Sequence, residues 1–170
     1  RTPQSRGATA KEAGALQTFD MYKTHGNYGT SNTEATVGDK IGRFSWFLSA
    51  NHEDSFSQPL YFVTNGGIPA GTTGAISALN KTGGTANVVG AGGLLHSVMN
   101  NLTGKFALDI TDWLRATYLV GYWDNDTRSS VQSYLSDAAG NPTFGGVSGF
   151  ANDEYTLQER HLMNARSEER

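Results

Sequence analysis

The chain contains no cysteine, which removes disulfide staples, thiolate metal sites and thiol nucleophiles together. It also lacks any apolar run approaching the ~20 residues of a membrane-spanning helix. Charge is sparse and slightly acidic: 13 Lys and Arg face 16 Asp and Glu, for a net charge of -3 over 170 residues. That balance leaves no basic surplus for the phosphate contacts of a nucleic-acid partner, so none is expected. Catalytic motifs are missing as well. There is no G-x-S-x-G elbow and no phosphate-binding G-x-x-x-x-G-K-[ST], and in Gly90-Ala91-Gly92-Gly93 the last glycine of a dinucleotide fingerprint is replaced by Leu95. His25, His52, His96 and His161 show no i, i+4 pairing, so no metal ligand set is read. The expectation is a protein with no catalytic residue, no cofactor and no enzymatic activity.

What the chain does have is alternation. In the segment Trp113 to Trp123, Leu114, Ala116, Tyr118, Val120 and Tyr122 fall on one face of an extended strand. Arg115, Thr117 and Gly121 fall on the other, with Leu119 and Trp123. The same period recurs twice. Phe44, Trp46 and Leu48 oppose Arg43, Ser45 and Ser49, while Phe106, Leu108 and Ile110 oppose Lys105, Ala107 and Asp109. Looser strands are read over 17–23 and 33–41, and the poorest alternation lies in 155–165. The dry register carries aromatic residues toward its ends, and Trp113 to Tyr122 matches the ~9 to 11 residues of a tilted spanning strand. Mean hydropathy of -0.44 does not oppose this, because barrel strands alternate apolar with polar residues.

The spacing of these strands predicts an asymmetric arrangement. Tight turns are read at Asp39-Lys40-Ile41-Gly42 and Thr111-Asp112-Trp113, and long connections over 55–100 and 136–154, far beyond the ~2 to 5 residues of a hairpin loop. Much of the 21-residue glycine complement falls between Gly66 and Gly93, where low complexity suggests a mobile loop. The predicted fold is therefore all-β: an antiparallel up-and-down meander forming part of a transmembrane β-barrel. A partial barrel of about six strands occupies 14–166, after a linker over 1–13 and before a tail over 167–170.

Three stretches resemble the TonB-dependent receptors of the Gram-negative outer membrane. Arg1-Thr2-Pro3 looks like the end of the strand closing that family's N-terminal plug. Val37 to Ser55 is similar to its second short turn and third strand, and Gly104 to Asp126 looks like a later hairpin of the same barrel. The resemblance implies a 22-stranded barrel around a plug, importing iron chelates (siderophores) or other scarce nutrients with energy passed from the inner membrane. It also implies location in the outer membrane. The partners implied are lipid, the rest of the barrel and plug, and a TonB complex met through an N-terminal part missing from this chain. A set of six strands cannot close such a barrel, so the chain reads as a fragment.

On this reading Phe44, Trp46, Leu48, Phe106, Leu108, Ile110, Leu114, Tyr118, Val120 and Tyr122 face lipid. Arg43, Lys105, Asp109 and Arg115 face the lumen and its plug, and Tyr61 and Phe62 in the long loop are the expected ligand contacts. Asp124-Asn125-Asp126 fails the EF-hand spacing and reads as the start of a solvated loop. The pairs Glu53-Asp54 and Asp153-Glu154 read as charges at loop rims. The alternative is a soluble secreted β-sandwich that binds carbohydrate through exposed aromatics such as Trp46 and Trp123.

Overall fold

The computed structural model describes residues 5–169. Eight strands follow in chain order: β1 (Gly7–Met21), β2 (Thr24–Ile41), β3 (Phe44–Phe56), β4 (Tyr61–Asn65), β5 (Ile76–Leu79), β6 (Thr85–Asp109), β7 (Arg115–Ser133) and β8 (Asp153–Glu169). They form one sheet in the order β1-β2-β3-β6-β7-β8, with β4 and β5 both pairing β6 beyond the reach of β3. Every pairing is antiparallel. The all-β meander expected from alternation is therefore present, and among the described residues there is no helix.

Several boundaries differ from the sequence reading. Strand β1 already runs at Gly7, so 7–13 is sheet and not linker, and β8 continues to Glu169 through the expected tail. The alternation is weak in both segments because Ala, Gly, Thr and charged residues fill both registers. Strand β7 extends to Ser133, which places Asp124, Asn125 and Asp126 inside a strand and not at a loop start. Ile110 and Leu114 close the β6–β7 turn, with the Ile110 amide donating to the Leu114 carbonyl at 2.8 Å.

The connection lengths separate two ends of the sheet. At one end β2 turns into β3 through Gly42 and Arg43, with Gly42 at φ 59, the positive φ that a type II′ hairpin places at its first central position. At the other end, the segments joining β3 to β6 and β7 to β8 are long, while β1 and β2 meet tightly at Tyr22 and Lys23.

The long connection over 55–100, with its expected mobile loop between Gly66 and Gly93, is instead built structure, a cap over this end of the sheet. It holds β4, β5 and the first part of β6, and together with the segment joining β7 to β8 it supplies most of the buried core. Val89 and Ala91 are 0% exposed and Leu135 1%. Val88, Ala91 and Tyr134 pack with Phe62 and Ile76 on one side, and Val89, Leu135 and Phe150 pack with Val63 and Phe144 on the other. The glycines that disguised this region are what allow it. A Cβ on Gly90 would collide with the Phe150 ring, one on Gly92 with Tyr61, and one on Gly93 would lie 2.7 Å from Leu60 Cβ. Gly93 also has φ 69, and the β6–β7 register shifts between Ala91 and Leu94, a bulge that redirects the strand into the cap.

The cap is fastened to the first hairpin. Lys23 Nζ donates to the carbonyls of Gly74 at 2.7 Å and Tyr134 at 3.3 Å. The Thr24 hydroxyl donates to Gln132 Oε1 at 2.7 Å and lies 2.6 Å from the Tyr134 hydroxyl. Thr24 sits on β2 and Gln132 on β7, three strands apart in the sheet, so the sheet curls at this end toward the face that carries Thr24.

Filling the glycine track tests this arrangement. Gly92→Leu forces the Tyr61 ring off β6, and overpacking of this kind costs about 1–3 kcal/mol. The expected result is a lower thermal midpoint of the full-length protein together with new protease cleavage between β4 and β5; an unchanged midpoint and cleavage pattern would contradict it.

Candidate functional site

Because the ladder is continuous, each row of paired residues lies on one face. One such row is Val37, Leu48, Gly104 and Val120; a second is Trp46, Phe106 and Tyr118; a third is Ala35, Ala50, Leu102 and Tyr122. These rows define an apolar face. Alternate rows, such as Ser49, Thr103 and Gly121, define a polar one.

Burial runs opposite to the usual order. On the apolar face Leu48 is 42% exposed, Leu102 49% and Tyr118 46%, whereas on the polar face Ser45 is 1%. Ser45 is covered by its own neighbours: Arg115 reaches its hydroxyl at 3.4 Å. Phe44 and Leu108 are exposed beside Leu48, with Trp46, Phe106, Val120 and Tyr122 partly exposed in the same band. The rings of Phe44 and Phe106 stack 6.5 Å apart. Eight of the expected apolar contacts thus stand on one surface, while Ile110 and Leu114 lie in the turn beside it.

The band is bounded sideways. On β8 the same face carries Gln158, Arg160, Asn164, Arg166 and Glu168 with Leu162 as the large apolar residue, and on β1 it carries Ala8, Ala10, Glu12 and Leu16. Apolar exposure concentrates on β3, β6, β7 and the adjoining half of β2.

Of the four expected inward charges, Lys105, Asp109 and Arg115 stand on the polar face. Asp109 is held between two cations, Lys40 at 3.6 Å and Arg115 at 3.5 Å. Lys40 escaped the sequence reading because it sits next to a turn. Arg43 lies instead in the β2–β3 turn, where it donates to the Ile110 carbonyl at 2.9 Å and to Asp112 Oδ1 at 3.2 Å, bracing one short turn against the other.

At the capped end, Phe62 meets Tyr22 edge-on at 4.8 Å and lies 6.4 Å from Phe19, so it belongs to the cap's packing. Tyr61 remains exposed above Gly92. Trp46 and Trp123 occupy opposite faces, with Trp123 tilted against His161 at 5.3 Å. They form no common platform. His96 stacks on Phe56 at 4.1 Å and pairs with Asp54 at 2.9 Å, so Asp54 is a strand residue and not a rim charge. Among the described residues no group of three His, Asp or Glu side chains is placed to hold a metal ion.

Glu154 also departs from the sequence reading. Its carboxylate accepts the Gly93 amide at 2.9 Å and the hydroxyl of Ser129, fixing β8 and β7 to the bulge of β6. Nothing in the local sequence marks it, since the partners are far apart in the chain. At the same end of the sheet, burial raises the Tyr134 phenol above its usual value of 10, with the Thr24 hydroxyl bond opposing. Asp137 is lowered, chiefly by the amide of Asn141.

In comparisons with known proteins, no family model matches the chain, and neither a curated protein nor a solved structure does.

Two outcomes follow from the cap contacts. Glu154→Ala strands a buried amide and hydroxyl, a loss of about 1–3 kcal/mol, expected as faster hydrogen exchange at Gly93; unchanged exchange would refute the clamp. For Tyr134 the folded pKa lies above the unfolded one. Its contribution is therefore complete below pH 10 and is lost as pH climbs through the raised value. Tyr134→Phe should flatten that alkaline fall in stability, and a fall of equal steepness in the variant would exclude Tyr134 as its source.

Proposed function

We propose that this chain is a section of the wall of an outer-membrane β-barrel receptor of the TonB-dependent class, serving uptake of iron chelates (siderophores) or other scarce nutrients. The observation that carries the reading is the inverted burial of the sheet: Leu48, Leu102 and Tyr118 are bare while Ser45 is covered. In water, such an apolar face would be driven under a second layer. In a barrel wall, hydrocarbon is that layer, and the polar register faces a wet lumen. Lipid contact is accordingly assigned to the exposed rows of β3, β6 and β7.

The connectivity supports the same reading. Only short turns at one end and, beside the tight β1–β2 turn, two long, structured connections at the other match the arrangement of an outer-membrane barrel, whose external loops carry recognition. Strands β1 and β8 leave long unpaired edges, which hydrocarbon does not tolerate, so both require further strands of a larger barrel. The capped end is the side on which a nutrient would first be met, and Tyr61 is the exposed aromatic there. Asp109, Lys40, Lys105 and Arg115 would line the lumen, where a plug domain would pack. A carbohydrate-binding sandwich is disfavoured because Trp46 and Trp123 do not share a face.

The test uses the intact parent protein. Leu48→Lys or Val120→Lys would place an ammonium toward the bilayer, at a cost of about 2–4 kcal/mol near the midplane, and should lower the amount recovered folded in the outer membrane. Thr103→Lys, on the polar face, should be recovered at the parent level. Equal recovery of all three variants would overturn the assignment.

A further inference from the structure

We propose that the tip of the β1–β2 hairpin is a strained latch, which holds the capped end of the sheet curled over its polar face and must let go before a solute reaches that face from this end. The entry step rests on the lumen-facing assignment made above; the latch itself rests on the backbone. Tyr22 and Lys23 join the paired residues Met21 and Thr24, as Gly42 and Arg43 join Ile41 and Phe44. The first residue of each loop has nearly the same backbone, φ 57 at Tyr22 and φ 59 at Gly42. Glycine takes that conformation without strain. A tyrosine there is an outlier, and Tyr22 is the one residue other than glycine with positive φ among those described.

Such a conformation persists only where its surroundings impose it. The ring of Tyr22 stands edge-on to Phe62 at 4.8 Å and packs, with Ile76 and Ala78, around the enclosed Val88, Ala91 and Tyr134. Lys23 is gripped at both ends of the residue: its ammonium donates to the Gly74 and Tyr134 carbonyls, and its own carbonyl accepts from Gln132 Nε2 at 3.3 Å. Gly74 makes room for that ammonium. It has φ 97, and a Cβ there would collide with the Tyr134 carbonyl and lie 2.9 Å from Lys23 Nζ. Thr24, 1% exposed, completes the grip through Gln132 and Tyr134.

Strain and grip act against each other in adjoining residues. Freed from Phe62, Tyr22 relaxes out of the left-handed region, and Lys23 and Thr24 are carried with it. The effect reaches beyond the turn because Thr24 shares its register with Thr36, which pairs Ser49 on the polar face, whereas Gln132 belongs to β7. The bonds of the tip therefore draw β2 toward β7 across β3 and β6, and their release lets the curl open on the polar side.

The experiment is thiol labelling of the full-length protein, freed of any other cysteine, in intact cells with a membrane-impermeant maleimide, followed by membrane fractionation. Thr24→Cys places the reporter inside the latch, where it reacts only in the open state. The expected result is slow labelling in the parent and about tenfold faster labelling after Lys23→Ala, which removes the charged bonds. Phe62→Ala should accelerate it too, so a folding failure of either variant does not end the test. Adding Tyr22→Gly to Phe62→Ala should slow labelling again, because glycine holds the turn without the ring; no slowing would overturn the strain. A second reporter, Asn101→Cys on the polar face, should accelerate in parallel, and an unchanged rate there would overturn the entry step. Equal labelling of Thr24→Cys in all backgrounds, each recovered in the outer membrane, would overturn the latch and leave the barrel assignment standing. A parent recovered in the soluble fraction would overturn the barrel and the entry step, while the same labelling rates still decide the latch.

Discussion

The constraint on which this structure depends is the antiparallel ladder from β1 to β8, which keeps register from the short turns up to the bulges at Ala91–Leu94 and Ser129–Ser130. Once β3, β6 and β7 are paired through Leu48, Gly104 and Val120, every side chain in those strands is committed to one face, because a shift of one residue would exchange the two registers entirely. The apolar surface is therefore a property of the sheet as a whole. No local rearrangement of Leu48 or Tyr118 could hide it. It must meet either another apolar layer or a nonaqueous medium, and the proposed lipid contact is the second of these.

The cap at one end has the opposite character. There the chain builds a conventional core, with Val89 and Leu135 fully enclosed, and ties it to the first hairpin through Lys23 and Thr24. A rigid cap joined to a sheet with one bare and one polar face is a division of labour. On the proposed reading the sheet would supply a wall, and the cap would present Tyr61, exposed above Gly92. In the proposed receptor, such positioning would let the connection recognise a ligand without a large ordering entropy on binding.

Much of the sheet is legible from alternation alone. Strands β3 and β7 stand out because large apolar residues, Phe44, Trp46 and Leu48 or Tyr118, Val120 and Tyr122, fill one register without interruption. Strand β1 is only half visible, since Ala8, Ala10 and Gly14 give too little contrast with Thr9 and Ala13. The cap is hidden for a sharper reason. Gly90, Gly92 and Gly93 read locally as flexibility, but each is required by a ring or side chain from a distant segment pressing against β6, and no window along the chain contains both partners. Phe62 reads as a ligand contact for the same cause, because its packing against Tyr22 depends on a fold of the connection that periodicity does not encode. Glu154 likewise gains its role from Gly93 and Ser129, neither of them near it in sequence.

The most direct measurement is spin-label accessibility along β7 in the full-length protein reconstituted in bilayers. Labels at Ala116, Tyr118, Val120 and Tyr122 should show high oxygen and low nickel-chelate accessibility, alternating with the reverse at Thr117, Leu119, Gly121 and Trp123. Nickel-chelate accessibility that is equal in both registers, or alternates in the opposite phase, would contradict the account.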